Sequence, residues 1–246
     1  MSDLILDQFS RLLDGLDPAN PWPGLEASGF LDLLRPEADG GAALDLDELF
    51  PLVLETGRRP NAPTAIETMI ARLQDPSASA VASVEAALSG NPLARALAAA
   101  VAAARMAGAM ERIQEITVEY ANTRRQFGRE IGKFQAIQHQ VAVMAEEVAA
   151  ARMAAQIAFV GAPLAIDPRA AGVAKLRAGQ AAQAVCAIAH GVHGAIGVSQ
   201  EHELHHYTGA LHLWRLAHGG ETYWARRLGA WALESQNDAV TLARAF

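Results

Sequence analysis

One cysteine, two lysines and few aromatic residues stand out in the 246-residue sequence, and each scarcity removes an option. Cys186 alone excludes an intrachain disulfide and fits a reducing compartment. Aromatic residues make up 6% of the chain, so alanine, leucine and valine must build any core. The opening, Met-Ser-Asp-Leu-Ile-Leu-Asp, lacks a basic segment and a long apolar stretch. No signal peptide is therefore expected, and the expected location is cytoplasmic. No uninterrupted apolar run reaches about 18 residues, because Arg105 breaks the densest stretch; no membrane association is expected. A net charge of −7 argues against nucleic acid as a partner. Alternating β-branched runs joined by short turns are also missing, which disfavours an all-β fold.

What remains is helical periodicity throughout, in a chain whose 51% hydrophobic content is ample for a core. Residues 2–14 place Leu4, Ile5, Phe9, Leu12 and Leu13 near one face. A short helix is expected from about Gly24 to Leu34. Another, capped by Asp45 or Asp47, runs to about Thr56, and a third, capped by Thr64, runs through Leu73. Residues 93–127 read as one long, alanine-rich helix at the centre of a bundle. Gly128 to Phe134 reads as a turn. Further helices are expected at about Gln135–Val160 and at 169–190, the latter broken by Gly191, Gly194 and Gly197. A helix capped by Ser199 then runs to about Leu216, and a last one covers Glu221 to Leu233. The expected fold is all-α: an N-terminal short-helix segment (1–75), a linker with one short helix (76–92), an antiparallel bundle of four or five helices (93–234) and a tail (235–246).

The informative stretch is Tyr120-Ala-Asn-Thr-Arg124-Arg-Gln126-Phe127-Gly128, followed by Ile131-Gly-Lys-Phe134-Gln135. A guanidinium at a helix end can grip a phosphate through two nitrogens. Phe127 can lie against a flat ring, and Gln135 opens a helix whose positive end favours an anion. The same residues also suit an Arg complementing a helix dipole and a Phe packed under a turn.

This run resembles the signature of the acyl-CoA dehydrogenase family, Tyr-x-x-x-Arg-x-x-Phe-Gly followed by Ile-Gly-x-Phe-Gln. Ala174-Lys175-Leu176, the glycine turn His193-Gly-Ala195-Ile-Gly197-Val198, the loop Pro36-Glu-Ala-Asp-Gly40-Gly41 and the helix end Leu54-Glu-Thr-Gly-Arg58 extend the resemblance. It implies FAD as cofactor, α,β-dehydrogenation of an acyl-CoA thioester, and a dimer or tetramer. It also implies that Arg124, Gln126, Phe127 and Gln135 touch the ADP part of a FAD held by a neighbouring subunit. The glycine turn, with Gly191 and Ala195 where the family favours Gln and Gly, lies near the same ADP.

Three departures follow from the resemblance. The family's middle β domain has no counterpart, since the few residues that stand in its place cannot form a barrel. The family's catalytic glutamate falls at His218, before Gly219-Gly220. His218 and, three residues on, Glu221 are candidate bases. An alternative base position on the first bundle helix, around Leu97–Ala100, is apolar. The family's CoA-side arginine falls near Ala99, one turn from Arg95. These departures imply a subunit whose own base is missing and which works in a heteromer with a full-length acyl-CoA dehydrogenase that supplies the glutamate. The alternative is a non-enzymatic helical interaction subunit that has lost FAD.

Seven of eight histidines lie between 190 and 218, and His202-Glu203-Leu-His-His206 matches H-E-x-x-H. On a helix, His202 and His206 would share a face and suit zinc hydrolysis, but no third ligand is evident and no metal is expected. Cys186 reads as a small core residue. Trp214, Trp224 and Trp231 read as packing or interface anchors, and Arg226-Arg227 as a solvated or dimer-facing pair.

Overall fold

A computed structural model describes residues 3–235 and 241. The tail expected at 235–246 lies, apart from 235 and 241, outside the described residues. Ten α-helices and one two-stranded ribbon account for the regular structure among them.

The centre is helix α6, Ala94–Thr123, with alanine or glycine at most of its buried positions. Such a helix is buried nearly all round because its backbone can be approached from every side. It packs against α8 (Pro168–His193), α7 (Gln135–Ala158), α3 (Leu46–Gly57) and α9 (Leu204–Leu216). Helix α10 (Glu221–Glu234) lies on α8. The short helices α1 (Asp3–Gly15), α2 (Trp22–Ser28), α4 (Ala65–Arg72) and α5 (Val84–Ala87) complete the N-terminal part. One cluster runs through both parts, from Phe9 to Leu211, and holds Val84 and Leu88 from the segment between them. Helix α8 is long and apolar enough, by length and composition, to cross a membrane. Here it sits between α6, α7 and α10, with Ala174, Lys175 and Ala178 buried.

Two glycines set the closest approach. A Cβ on Gly57 would sit 2.1 Å from the Arg105 carbonyl oxygen, and one on Gly108 would sit 2.1 Å from that of Leu54. Helices α3 and α6 therefore cross backbone to backbone. Gly→Ala inside a helix ordinarily stabilises by about 0.5–1 kcal/mol. At Gly108 the steric clash outweighs that gain, and Gly108→Ala is expected to destabilise by about 1–3 kcal/mol. Thermal unfolding checks this: an unchanged or higher Tm contradicts the crossing.

Several expected boundaries move. Gly29, in the left-handed region at φ 76°, ends α2 before a 3-10 turn, so the helix expected through Leu34 is split. Asp45 caps α3 as expected, with its N–H donating to the Glu48 carboxylate at 3.2 Å. Thr64 precedes α4 without a capping side-chain bond. Gly191 does not break α8, which continues to His193, because a single glycine is tolerated inside a packed helix. Ser199 closes the following 3-10 turn by donating to the Ile196 carbonyl, and α9 starts five residues later.

Candidate functional site

Helix α6 ends where Arg124 turns extended, at φ −71° and ψ 124°, with its N–H still donating to the Tyr120 carbonyl at 2.8 Å. The chain then forms a ribbon, β1 (Arg125–Gln126) against β2 (Arg129–Glu130). Phe127 and Gly128 join the strands with φ of 50° and 83°. Positive φ at both central residues marks a type I′ turn. The helix expected through 127 thus stops at Thr123.

The side chains here are presented outward. Phe127 is 89% exposed and meets only the edge of Phe134, at 6.1 Å between centroids. The Arg124 guanidinium is exposed and makes no ion pair or hydrogen bond among the described residues. Its neighbours are engaged: Arg125 pairs with Glu130, and Arg129 lies over the Phe134 ring at 4.2 Å. Gln126 is exposed on the ribbon, and Gln135 is exposed at the first position of α7.

The glycine turn lies at the same end of the bundle. The Tyr120 ring stacks on His193 at 4.4 Å, and Ala121, Ile131 and Val192 form a small buried cluster beneath. Gly191 and Ala195 are exposed beside it. Helices separated by seventy residues therefore bring the predicted ADP-binding residues together. His193 is buried, its Nδ1 donating to the Ala189 carbonyl at 2.8 Å, and its Nε2 is buried without a partner. Burial, opposed by that bond and reinforced by the imidazoles of His202 and His190, holds His193 below the ordinary histidine range. It packs as a buried ring beneath Tyr120.

The two candidate bases sit at the other end. From Arg95 to Arg124, α6 rises about 43 Å. His218 stands in the α9–α10 loop at φ 57°, with its Nδ1 3.5 Å from the Glu85 carboxylate and its carbonyl accepting from the Trp224 indole at 3.2 Å. Glu221 does not turn towards the same space. Its carboxylate pairs with Arg215, which, against burial, holds it below the usual carboxylate range. That pairing favours the charged carboxylate. Only four non-glycine residues among those described have positive φ: Ala43, Ala80, Phe127 and His218. Two of the four are predicted site positions. Such backbone costs of order 1–3 kcal/mol and collects at functional sites.

Lys175, in the run Ala174-Lys175-Leu176, is central to this loop. It is 1% exposed, and its ammonium donates to the carbonyls of Arg215 at 2.7 Å and Gly219 at 3.2 Å. The signal was its rarity: one of two lysines, set in an alanine-rich helix. Burial, partly offset by Glu221, lowers its pKa to about 8. The unfolded chain keeps that proton to about 10.4. Between these values the unfolded state binds more protons, so stability is expected to rise as pH climbs from about 8 to about 10.4. Carbon-13 NMR of lysine side chains checks this. The Lys175 midpoint should fall near 8 and move to the ordinary value in denaturant; an ordinary value in the folded chain contradicts it.

The zinc arrangement fails on geometry. Helix α9 starts at Leu204, so His202 lies outside it and does not share a helical face with His206. His202 Nδ1 accepts from the Leu204 N–H, Glu203 pairs with Arg112 at 2.9 Å, and the His206 ring lies tilted against that of His205. No group of three or more metal-ligating side chains is assembled among the described residues. Cys186 is buried in the core, Trp224 is buried, and Arg226 and Arg227 are exposed.

The architecture is that of an antiparallel bundle around one central helix, with an exposed, arginine-bearing ribbon at one end. Residues 94–232 match the family described as acyl-CoA dehydrogenase, C-terminal domain. The chain belongs to the acyl-CoA dehydrogenase family. It is 40% identical over 115 residues to acyl-CoA dehydrogenase IpdE2 of Mycobacterium tuberculosis, a match covering 47% of this chain and 35% of the relative. The match thus spans about a third of the relative's length. Among solved structures it resembles glutaryl-coenzyme A dehydrogenase (27% identity, TM-score 0.52, covering 57% of this chain and 36% of that one). It also shares its fold with a chain of the ChsE4–ChsE5 complex from Mycobacterium tuberculosis (18% identity, TM-score 0.76, covering 96% of this chain and 98% of that one).

Proposed function

We propose that this chain is the supporting subunit of a heteromeric, FAD-dependent acyl-CoA dehydrogenase. It presents the ADP-binding wall to a FAD held with a full-length partner, and the partner supplies the catalytic glutamate. One observation carries the reading: Arg124 is an exposed guanidinium without a partner, beside an exposed Phe127 held on a strained turn.

The residues present fit the anionic half of the cofactor. Arg124 would hold the diphosphate, assisted by Gln126, Gln135 and the free N–H groups at the start of α7. The Phe127 ring offers a flat apolar face. Nothing comparable encloses the isoalloxazine, because strand structure among the described residues is confined to 125–126 and 129–130. When bound, FAD supplies the hydride acceptor; this chain grips and orients. The base position lies beside Arg95, at the opposite end of α6 from Arg124, which fits a division of labour between chains. The ChsE4–ChsE5 neighbour comes from a complex of two chains, which supports a two-component reading. An apolar groove of about 330 Å³ between α7 and α8, lined by Met153, Ile157 and Val173 among others, offers a face for subunit contact. The proposed substrate is an acyl-CoA, the location cytoplasmic, and neither nucleic acid nor membrane is involved.

Co-expression tests this. The chain alone is expected to purify colourless, and with a full-length relative that carries the glutamate it should yield a complex absorbing in the flavin band. A stable but colourless complex would favour the interaction subunit that has lost FAD. A yellow, active homomer would contradict the division of labour.

A further inference from the structure

Residues 76–92 are tied down along their length. Arg72 Nε donates to the Ala78 carbonyl at 2.9 Å, Ser79 Oγ to the Glu26 carboxylate at 2.6 Å, and the Val81 N–H to Thr68 Oγ1 at 3.1 Å. Ser83 Oγ accepts from the Ala86 N–H at 3.2 Å and caps α5. Val84 and Leu88 insert into the main core. Glu85 is left pointing across the end of the bundle. Its Oε1 accepts from Arg95 Nε at 3.1 Å and lies 3.5 Å from His218 Nδ1. Arg95 in turn lies over the Tyr223 ring, 5.5 Å from its centroid, and Arg227 faces the same ring at 5.8 Å. One carboxylate thus joins α5, the start of α6 and the α9–α10 loop.

We propose that residues 76–92 form a strap that closes the end of the bundle around His218, with Glu85 as its latch, so that this chain keeps its own acyl-thioester face shut. The proposal rests on the reading that His218 occupies the base position. It adds that the position is covered as well as lacking a glutamate. The His218 imidazole is engaged by a carboxylate from the strap, and Arg95, the nearest candidate for the CoA side, is held by the same carboxylate and by Tyr223. Three elements, two consecutive and one more than a hundred residues on, meet at one partly exposed carboxylate, which makes the closure sensitive to a single charge.

Hydrogen-exchange mass spectrometry on the chain alone, without flavin or partner, tests the latch. Glu85→Gln should speed exchange at both 84–92 and 216–221 by about 1.5- to 5-fold, the range a partly exposed pair supports. Glu85→Lys, which sets a cation against Arg95, should speed it further. Exchange at 120–135 and the helical circular dichroism should not change in either variant. Adding octanoyl-CoA to the wild-type chain should leave 84–92 and 216–221 unaffected. Unchanged exchange at 216–221 in Glu85→Lys would overturn the latch. Slower exchange at either segment with octanoyl-CoA would show a binding wall in place of a closed one. Neither result bears on the colour of the co-expressed complex, so failure of the strap and failure of the flavin reading are separable.

Discussion

Arg124→Ala is expected to weaken flavin retention by the co-expressed complex about 10- to 100-fold, without changing the helical content of this chain. The magnitude is that of one charge-assisted, two-pronged contact with a phosphate, about 1.5–3 kcal/mol. Structure is expected to survive because the side chain is exposed and makes no ion pair or hydrogen bond among the described residues. Arg124→Lys should fall between, since an ammonium keeps the charge and loses the fork. Arg125→Ala is the control: its guanidinium already pairs with Glu130. Equilibrium dialysis of the complex reads all three. Equal losses at 124 and 125 would point to a general charge effect and against a specific grip.

The second large effect lies in the core. Glu67 on α4 and Arg105 on α6 form a two-pronged ion pair, with Arg105 Nη2 2.7 Å from Glu67 Oε2, and Arg105 Nε donates to Thr56 Oγ1 at 3.2 Å. Their side chains are 7% and 13% exposed. Removing one partner leaves a buried charge unmatched, which costs about 3–5 kcal/mol. Glu67→Ala is therefore expected to lower Tm by roughly 10 °C, at about 2–4 °C per kcal/mol for a chain of this size. Replacing both residues by methionine should recover much of the loss, because no orphaned charge remains. Calorimetry decides. A loss under about 1 kcal/mol in Glu67→Ala would show that water reaches the pair.

Much of this architecture was legible in the residues. The alanine-rich pattern after Pro92 announced a central helix, and the run from Tyr120 to Gln135 announced both the helix end and the family. The ribbon was not legible, because its strands are two residues long and carry no β-branched residue. It is defined by the pairing of 125–126 with 129–130 and the positive φ of Phe127 and Gly128. The H-E-x-x-H match presupposes a helix that here begins two residues after His202. Glu85 could not be found from sequence, since its meaning comes from contacts with residues 10 and 133 positions away. Glu221 opens α10, directly after the loop. Its direction, towards Arg215, depends on the buried packing against Gly179, whose missing side chain leaves room for the carboxylate.

The most direct measurement uses FAD bearing an azide on its adenine, bound to the co-expressed complex and irradiated. The label should be recovered on this chain, within residues 120–135 or 191–197, since the adenine and diphosphate are expected to rest on the ribbon and the glycine turn. A yellow complex in which every label maps to the full-length partner, with this chain unmarked, would contradict the account.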